Sequence, residues 1–411
     1  MRILTGATIV LPDRLVSGGS VVIDGERIVE VREQPVPRDG VHEHVALPSG
    51  GWIVPGLIDV HVHGAGGFDT LGPPGSVAGL AARLPRHGVT AFCPTTVACP
   101  PGPLEQFLTE VAALRAGPPS PGSARVLPAH LESNFLAPAF RGAQPAACLR
   151  TAAGCFTAAG GLRTARFPMA DRAGDFDGVD VLHVVDRWRP AVGIVTLAPE
   201  LEGGLALVAW LVSRGHRVAL GHSGALFDEA RAAIGAGARH ATHLFNRMPP
   251  LGHREPGLAG AVLADEAVAA EVIGDGVHLH PAAIRLTVAA KGTARVMAVS
   301  DGTAVAGRPD GARGQLGGEP ITVAGGAARL DDGTLAGSAA TLDRVFRTLV
   351  QAVGLTPVEA AALCATTPAR ELGLRDQGEI GPGRLADLVL LDADFRARWT
   401  WIGGAPAWPG A

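Results

Sequence analysis

Six polar side chains stand at the ends of apolar runs in this sequence, and their types are those of metal chemistry. The run IVPGLIDVHVH closes on His61 and His63, RVLPAHLE on Glu132, and RVALGHS on His222; ARHATHLF carries His243, and RVMAVSD closes on Asp301. Residues i and i+2 of a strand point to the same side, so His61 and His63 converge. Imidazole nitrogen and carboxylate oxygen suit a divalent ion, with zinc as the first expectation and iron, manganese, cobalt or nickel also served. No cysteine falls at these positions, which favours a catalytic, water-bearing site over a closed structural one. A carboxylate can bridge two ions, and Glu132 is the candidate, so one or two ions are expected. Such a site lowers the pKa of a bound water to about 7. Asp301 then fits a general base that later protonates a leaving group.

H-x-H alone is a weak signal, and a lone histidine at a strand end is more often a hydrogen-bonded structural residue. His42, His44, His87, His130, His183, His216, His240 and His280 are read that way. His240 lies three residues before His243, so strand alternation turns it to the opposite side. Five strand ends carrying one ligand set outweigh that reading for the six residues above. Two other motifs fall short. Gly221-His222-Ser223-Gly224-Ala225 lacks the second glycine of a nucleophile elbow. Gly64-Ala65-Gly66-Gly67 lacks the last glycine of G-x-G-x-x-G, where Asp69 stands. Cys93 and Cys99 read as small buried hydrophobes.

Strands alternating with helices must position these residues. Strand-like runs followed by helical ones repeat over about 300 residues, which implies a parallel sheet covered on both faces. Eight such units close into a (β/α)8 barrel, whose active site lies at the C-terminal ends of the strands; an open doubly wound sheet is the alternative. The first fifty and last forty residues are short β-runs with turns such as Asp24-Gly25. Together they suggest one small β-sandwich built from both termini. The expected division is 1–52 and 369–411 for the sandwich and 53–368 for an α/β catalytic TIM barrel. The Gly-rich stretch Gly302–Gly337 reads as a long loop or hairpin over the barrel.

Composition narrows the class. The chain has 411 residues, 47% hydrophobic, with a net charge of -4 and no tyrosine. It is too apolar for disorder and carries no basic excess of the kind a nucleic-acid binder shows. Without tyrosine, proton chemistry falls to His, Asp, Glu, Lys or Cys. No apolar run of 18 residues is present, so no membrane span is expected. Asp13 and Arg14 interrupt the apolar N-terminus, which does not read as a signal peptide. Five cysteines without a C-x-x-C pair fit reduced thiols, and a cytoplasmic location is expected.

The motifs taken together resemble the amidohydrolase superfamily and, within it, the N-acetylglucosamine-6-phosphate deacetylases, over nearly the whole chain. PGLIDVHVHG, HLE at Glu132, GHS at His222, THLFNRM at His243, REPGLAG at Arg254, DGVH at His278, SDGTAVAG at Asp301 and LAGSA near Ser338 match. THLFNRM followed by REPGLAG is the specific pair. The resemblance implies that Glu132, His222 and His243 hold the main ion, and that His61 and His63, with Glu132 bridging, hold a second. It implies that Asp301 is the catalytic acid/base and that the substrate is N-acetylglucosamine 6-phosphate, hydrolysed to glucosamine 6-phosphate and acetate. Asn246, the Arg247 backbone, Arg254 and His278 would hold the sugar phosphate, Arg254 reaching across a homodimer to the neighbouring site. An arginine fork beside neutral donors suits a phosphate.

The chain departs from the family pattern at the acyl end of the site. His130-Leu131-Glu132-Ser133-Asn134-Phe135 replaces H-L-E-G-P-[FW], Gly142-Ala143-Gln144 replaces G-[AT]-H, and Gly224 replaces an Asn or Asp. Gln144 is the expected partner of the acetyl oxygen, able to donate a hydrogen bond but not to carry a proton charge. The alternatives are a deacetylase of another N-acylated substrate such as N-acetylgalactosamine 6-phosphate, a cyclic-amide hydrolase, and a non-catalytic scaffold. The cyclic-amide hydrolases usually bridge their ions with a carboxylated lysine, and Glu132 takes that place here.

Overall fold

The computed structural model describes residues 1–36, 40–165 and 175–408. Its centre is a ring of eight parallel strands: β1 (Leu57–Val62), β2 (Val89–Thr96), β3 (Ala129–Glu132), β4 (Val192–Leu197), β5 (Arg217–Leu220), β6 (His240–Ala241), β7 (Ala269–Ile273) and β8 (Val296–Val299). Each pairs with the next in chain order. The ring closes just beyond β8. Asp301 N donates to His61 O at 3.0 Å and His63 N donates to Gly302 O at 2.8 Å. Closure therefore sets Asp301 beside the His61–His63 pair.

A helix follows each strand: α1 (Ser76–Arg83), α2 (Pro101–Ala116), α3 (Gly178–Arg187), α4 (Gly204–Ser213), α5 (Phe227–Gly235), α6 (Gly257–Ala264), α7 (Pro281–Lys291) and α8 (Leu342–Gln351). Helix ends carry local signals. α2 and α7 begin on proline, whose fixed φ suits the first helical turn, and α3 opens with an Asp177–Asp180 capping box. Residues such as Phe92, Leu80, Leu108 and Phe346 are fully buried where strands and helices meet. Each contributes about 1.5–3 kcal/mol by leaving water.

Between β8 and α8 the chain inserts a four-stranded antiparallel meander, Arg313–Leu316, Glu319–Ala324, Ala327–Arg329 and Leu335–Ser338. It has a small apolar core of its own, including Ile321, Val323 and Ala336, packed on Val97 and Val305. Of the loop or hairpin expected over the barrel, the hairpin form is present, extended to a four-stranded flap.

Both termini build a β-sandwich. One sheet orders Arg27–Arg32, Ser20–Asp24, Arg2–Thr5 and Glu43–Ala46. The other places Leu388–Leu391 antiparallel to Trp52–Pro55, with Ala397–Ile402 and Ala405–Trp408 on one side and Thr8–Val10 and Leu15–Val16 on the other. Ile9, Ile53, Leu388 and Trp401 join one core, so neither terminus forms this layer alone. Among the described residues no helix is long and apolar enough to cross a membrane.

Candidate metal centre

The six residues read from the strand ends meet at the C-terminal mouth of the barrel, all of them buried. His61 and His63 leave β1 with their Nε2 atoms 3.2 Å apart. Glu132, the last residue of β3, lies at their side, 3.6 Å from each ring. On its other flank Glu132 Oε1 is 3.1 Å from His222 Nε2 and 2.9 Å from His243 Nε2, and those two nitrogens are 3.1 Å from each other. Asp301 Oδ1 stands 3.4 Å from His61 Nε2 and 3.3 Å from His63 Nε2.

The backbone is bent to achieve this. His222, His243, Phe245, Arg247 and Asp301 have φ of 48°, 29°, 73°, 54° and 48°. A side-chain-bearing residue there costs about 1–3 kcal/mol and persists only where its surroundings hold it. The holding contacts are present: Ser338 N donates to Asp301 O at 2.7 Å, and Ser223 N to Arg247 O at 3.2 Å.

Electrostatics fit the same picture. Burial opposes the charge on Glu132, but His222 and His61 hold its carboxyl well below the usual range. Burial likewise opposes Asp301, and His63 with His61 holds it low. Burial disfavours a charged His61, yet Glu271, Glu132 and Asp301 together raise it to about 10. The proton that gives His61 this charge is the one a divalent ion would displace, since an imidazole ligates only when neutral; the ion would then take over the positive charge that faces the two carboxylates. Three donor groups emerge among the described residues, each with its ligand atoms within 4.8 Å of one another: His61–His130–Glu271 beneath the cavity, and His61–His63–Glu132 and Glu132–His222–His243 at its floor. The last two share Glu132, as a bridging carboxylate would.

A cavity of 540 Å³ opens above the centre. His63, Glu132, His222, His243 and Asp301 form its floor, and Asn246, Arg247 and His278 stand on its wall with Gln144. The flap contributes Leu316 and Leu335. His278 is fixed by Asp275, whose Oδ2 lies 2.8 Å from Nδ1. Arg254 is exposed and does not line this cavity.

The amidohydrolase family model matches residues 215–406. An N-acetylgalactosamine-6-phosphate deacetylase of Escherichia coli O157:H7 is 35% identical over 86% of each chain. An N-acetylglucosamine-6-phosphate deacetylase of Bacillus subtilis (strain 168) is 31% identical over 94% of this chain and 92% of its own. Among solved structures, the D267A mutant of the Mycobacterium smegmatis N-acetyl-D-glucosamine-6-phosphate deacetylase, in complex with N-acetyl-D-glucosamine-6-phosphate, superposes with a TM-score of 0.85 and 32% identity, covering 99% of each chain. The chain belongs to the N-acetylglucosamine-6-phosphate deacetylase family of amidohydrolases.

Within that family the departures of this chain separate by position. Ser133 Oγ donates to Thr196 O at 2.6 Å, and Asn134 Nδ2 donates to Cys99 O at 2.8 Å and Cys148 O at 2.7 Å. Both are buried and off the cavity. A Cβ on Gly224 would come within 2.6 Å of the Phe140 ring, which takes the space a longer residue would need. Only Gln144 borders the cavity, and its amide is engaged at both ends. Its oxygen accepts from Ala98 N at 2.7 Å and its nitrogen donates to Glu132 Oε2.

One carboxylate escaped the sequence reading. Glu271, in β7, is fully buried beneath the centre. Its Oε2 lies 2.9 Å from His61 Nδ1 and its Oε1 2.8 Å from His240 Nε2. Burial opposes its charge, and His61 with His130 keeps its carboxyl well below the ordinary range. The signal was an acid inside the apolar run VAAEVIG, where a buried charge needs a partner. His130 and His240, read as structural, are the neighbours of this acid.

Proposed function

We propose that this protein hydrolyses the N-acetyl group of N-acetylglucosamine 6-phosphate, giving glucosamine 6-phosphate and acetate. The observation that carries the reading is the convergence of Asp301 and the two Glu132-sharing donor groups on the floor of one cavity whose wall bears Asn246, Arg247 and His278. Glu132, His222 and His243 would hold the main ion, and His61, His63 and Glu132 a second, with zinc as the expected metal. A bound divalent ion supplies Lewis acidity that polarises the acetyl carbonyl and makes water acidic. Asp301, ionised at neutral pH, takes a proton from the attacking water at Oδ1. As oxygen bonds to the acetyl carbon and the C–N bond breaks, Asp301 returns that proton to the departing amine; the second proton of the water, left on the acetic acid, passes to the amine as well, so acetate and the ammonium form of the amino sugar leave in balance. Gln144 serves through Glu132, whose carboxylate it holds with an N–H.

Asn246, the Arg247 backbone and His278 would bind the sugar phosphate. Arg254, exposed on its own subunit, would complete that grip from the partner of a homodimer. The ligand is then a small anionic sugar, in keeping with a cytoplasmic enzyme. The E. coli relative named for N-acetylgalactosamine 6-phosphate supports a second reading, in which the C4 epimer is the substrate. Acetate release from both phosphates and from unphosphorylated N-acetylglucosamine, by protein loaded with zinc, iron or manganese, tests the proposal. Fastest turnover of N-acetylglucosamine 6-phosphate is expected, faster turnover of the galactosamine isomer selects the second reading, and no acetate from any of them overturns both.

A further inference from the structure

Glu271 takes no part in the reaction proposed above, since it lies beneath the cavity and does not line it. Yet its side-chain contacts run to the framework of the centre. Oε2 accepts from His61 Nδ1 at 2.9 Å and from the backbone N of His243 at 3.2 Å. Oε1 accepts from His240 Nε2 at 2.8 Å. His61 and His243 belong to different donor groups.

The four ligand histidines are supported unequally. His222 Nδ1 rests on a backbone carbonyl, Phe140 O, at 2.8 Å. His63 Nδ1 and His243 Nδ1 are buried with no hydrogen-bond partner among the described residues. Only His61 has a carboxylate behind it. A neutral imidazole carries one N–H, and the hydrogen bond of one nitrogen decides the role of the other. With Nδ1–H committed to Glu271, the Nε2 lone pair faces His63 and Glu132; the other tautomer would aim an N–H at His63 Nε2. The anchor is itself held. His240 fixes the second oxygen of Glu271, and His130 packs edge-on against His61 with ring centroids 4.6 Å apart. His130 is fixed in turn by Val60 O at 3.0 Å and Thr196 Oγ1 at 2.8 Å.

We propose that Glu271 is a positioning residue that makes the His61–His63 half of the centre competent to hold an ion, and thereby sets how many ions each chain carries. The inference rests on the metal-centre reading above. Backing carboxylates of this kind alter metal affinity by about 10–100-fold. The effect should fall on one ion, because Glu271 holds the ring of His61 but meets only the backbone N of His243, and the ring of His222 is supported independently.

Chelator-stripped wild type, Glu271→Gln, His61→Asn and the double variant would each be titrated with zinc, with ions per chain counted by elemental analysis. Wild type should bind two ions. Glu271→Gln should bind one with wild-type affinity and the other about 10–100-fold more weakly. In the His61→Asn background, Glu271→Gln should change the remaining affinity no further, whereas a general structural role would still lower it. If Glu271→Gln does not fold, His240→Asn, which frees only Oε1, should weaken the same single ion. Two ions at unchanged affinity in Glu271→Gln, equal weakening of both, or a single ion in wild type overturns the proposal. Wild type that binds no zinc and releases no acetate removes the proposed function itself; wild type that turns over with two ions beside an unchanged Glu271→Gln removes only this inference.

Discussion

Gln144 shows how a single side chain can change its employment when its type changes. Its amide spans Ala98 N and Glu132 Oε2, so it braces the shared carboxylate. Gln144→Ala leaves a buried N–H and a buried carboxylate oxygen each short of a partner, at a cost of about 1–3 kcal/mol apiece. Denaturant unfolding should therefore register a loss of this size together with slower turnover. Unchanged stability with slower turnover would instead mark Gln144 as a free donor to the acyl oxygen. At this scale the six residues that meet at the barrel mouth were legible, because His61, His63, Glu132, His222, His243 and Asp301 each close or follow an apolar run. Glu271 was not, because its partners lie on β1 and β6 and only the closed barrel brings them to it. Nor does spacing reveal that Gln144 is held from both ends, since Ala98 is 46 residues away.

His130 carries the argument to the elements. From β3 its Nδ1 donates to the β1 carbonyl of Val60 and its Nε2 meets the β4 hydroxyl of Thr196, so it ties three strands. Burial lowers its pKa from 6.5 to about 3, with the Glu271 charge working against the shift and His61 and His240 adding to it. A base depressed by folding stabilises the fold fully above its unfolded pKa and loses that contribution as pH falls below it. Melting temperature should therefore drop between about pH 6.5 and pH 3, and His130→Gln should flatten that part of the profile. A steeper acid limb in the variant would contradict this role. The barrel strands read as apolar runs, but α3 and α6 give no helical signal of their own in the sequence. Four valines in α3 mask its helical period with β-branched residues. α6, GLAGAVLA, is almost wholly buried and has no polar face to set a period. The flap fits the hairpin side of the loop-or-hairpin reading, its glycine turns being more conspicuous in the sequence than its short strands.

For the whole molecule, the open question of assembly turns on Arg254. It is exposed on its own chain, as is Leu251 three residues before it, while the rest of the expected phosphate grip lines the cavity. If the partner subunit supplies it, mixing inactive Asp301→Asn chains with Arg254→Ala chains should restore activity that neither has alone, since each hybrid dimer holds one intact site. Absence of recovery in demonstrably mixed dimers would place Arg254 outside the partner's site. The barrel brings Asp301 and the two Glu132-sharing donor groups to a single cavity that the flap helps to line, and that convergence is what the proposed hydrolysis requires. The most direct measurement is acetate release from N-acetylglucosamine 6-phosphate by zinc-loaded wild type and Asp301→Asn, with the zinc content of each determined alongside. Asp301→Asn should retain its zinc and lose about 10²–10⁴-fold in turnover, the contribution of a positioned acid/base; near-wild-type acetate release by the variant would contradict the account.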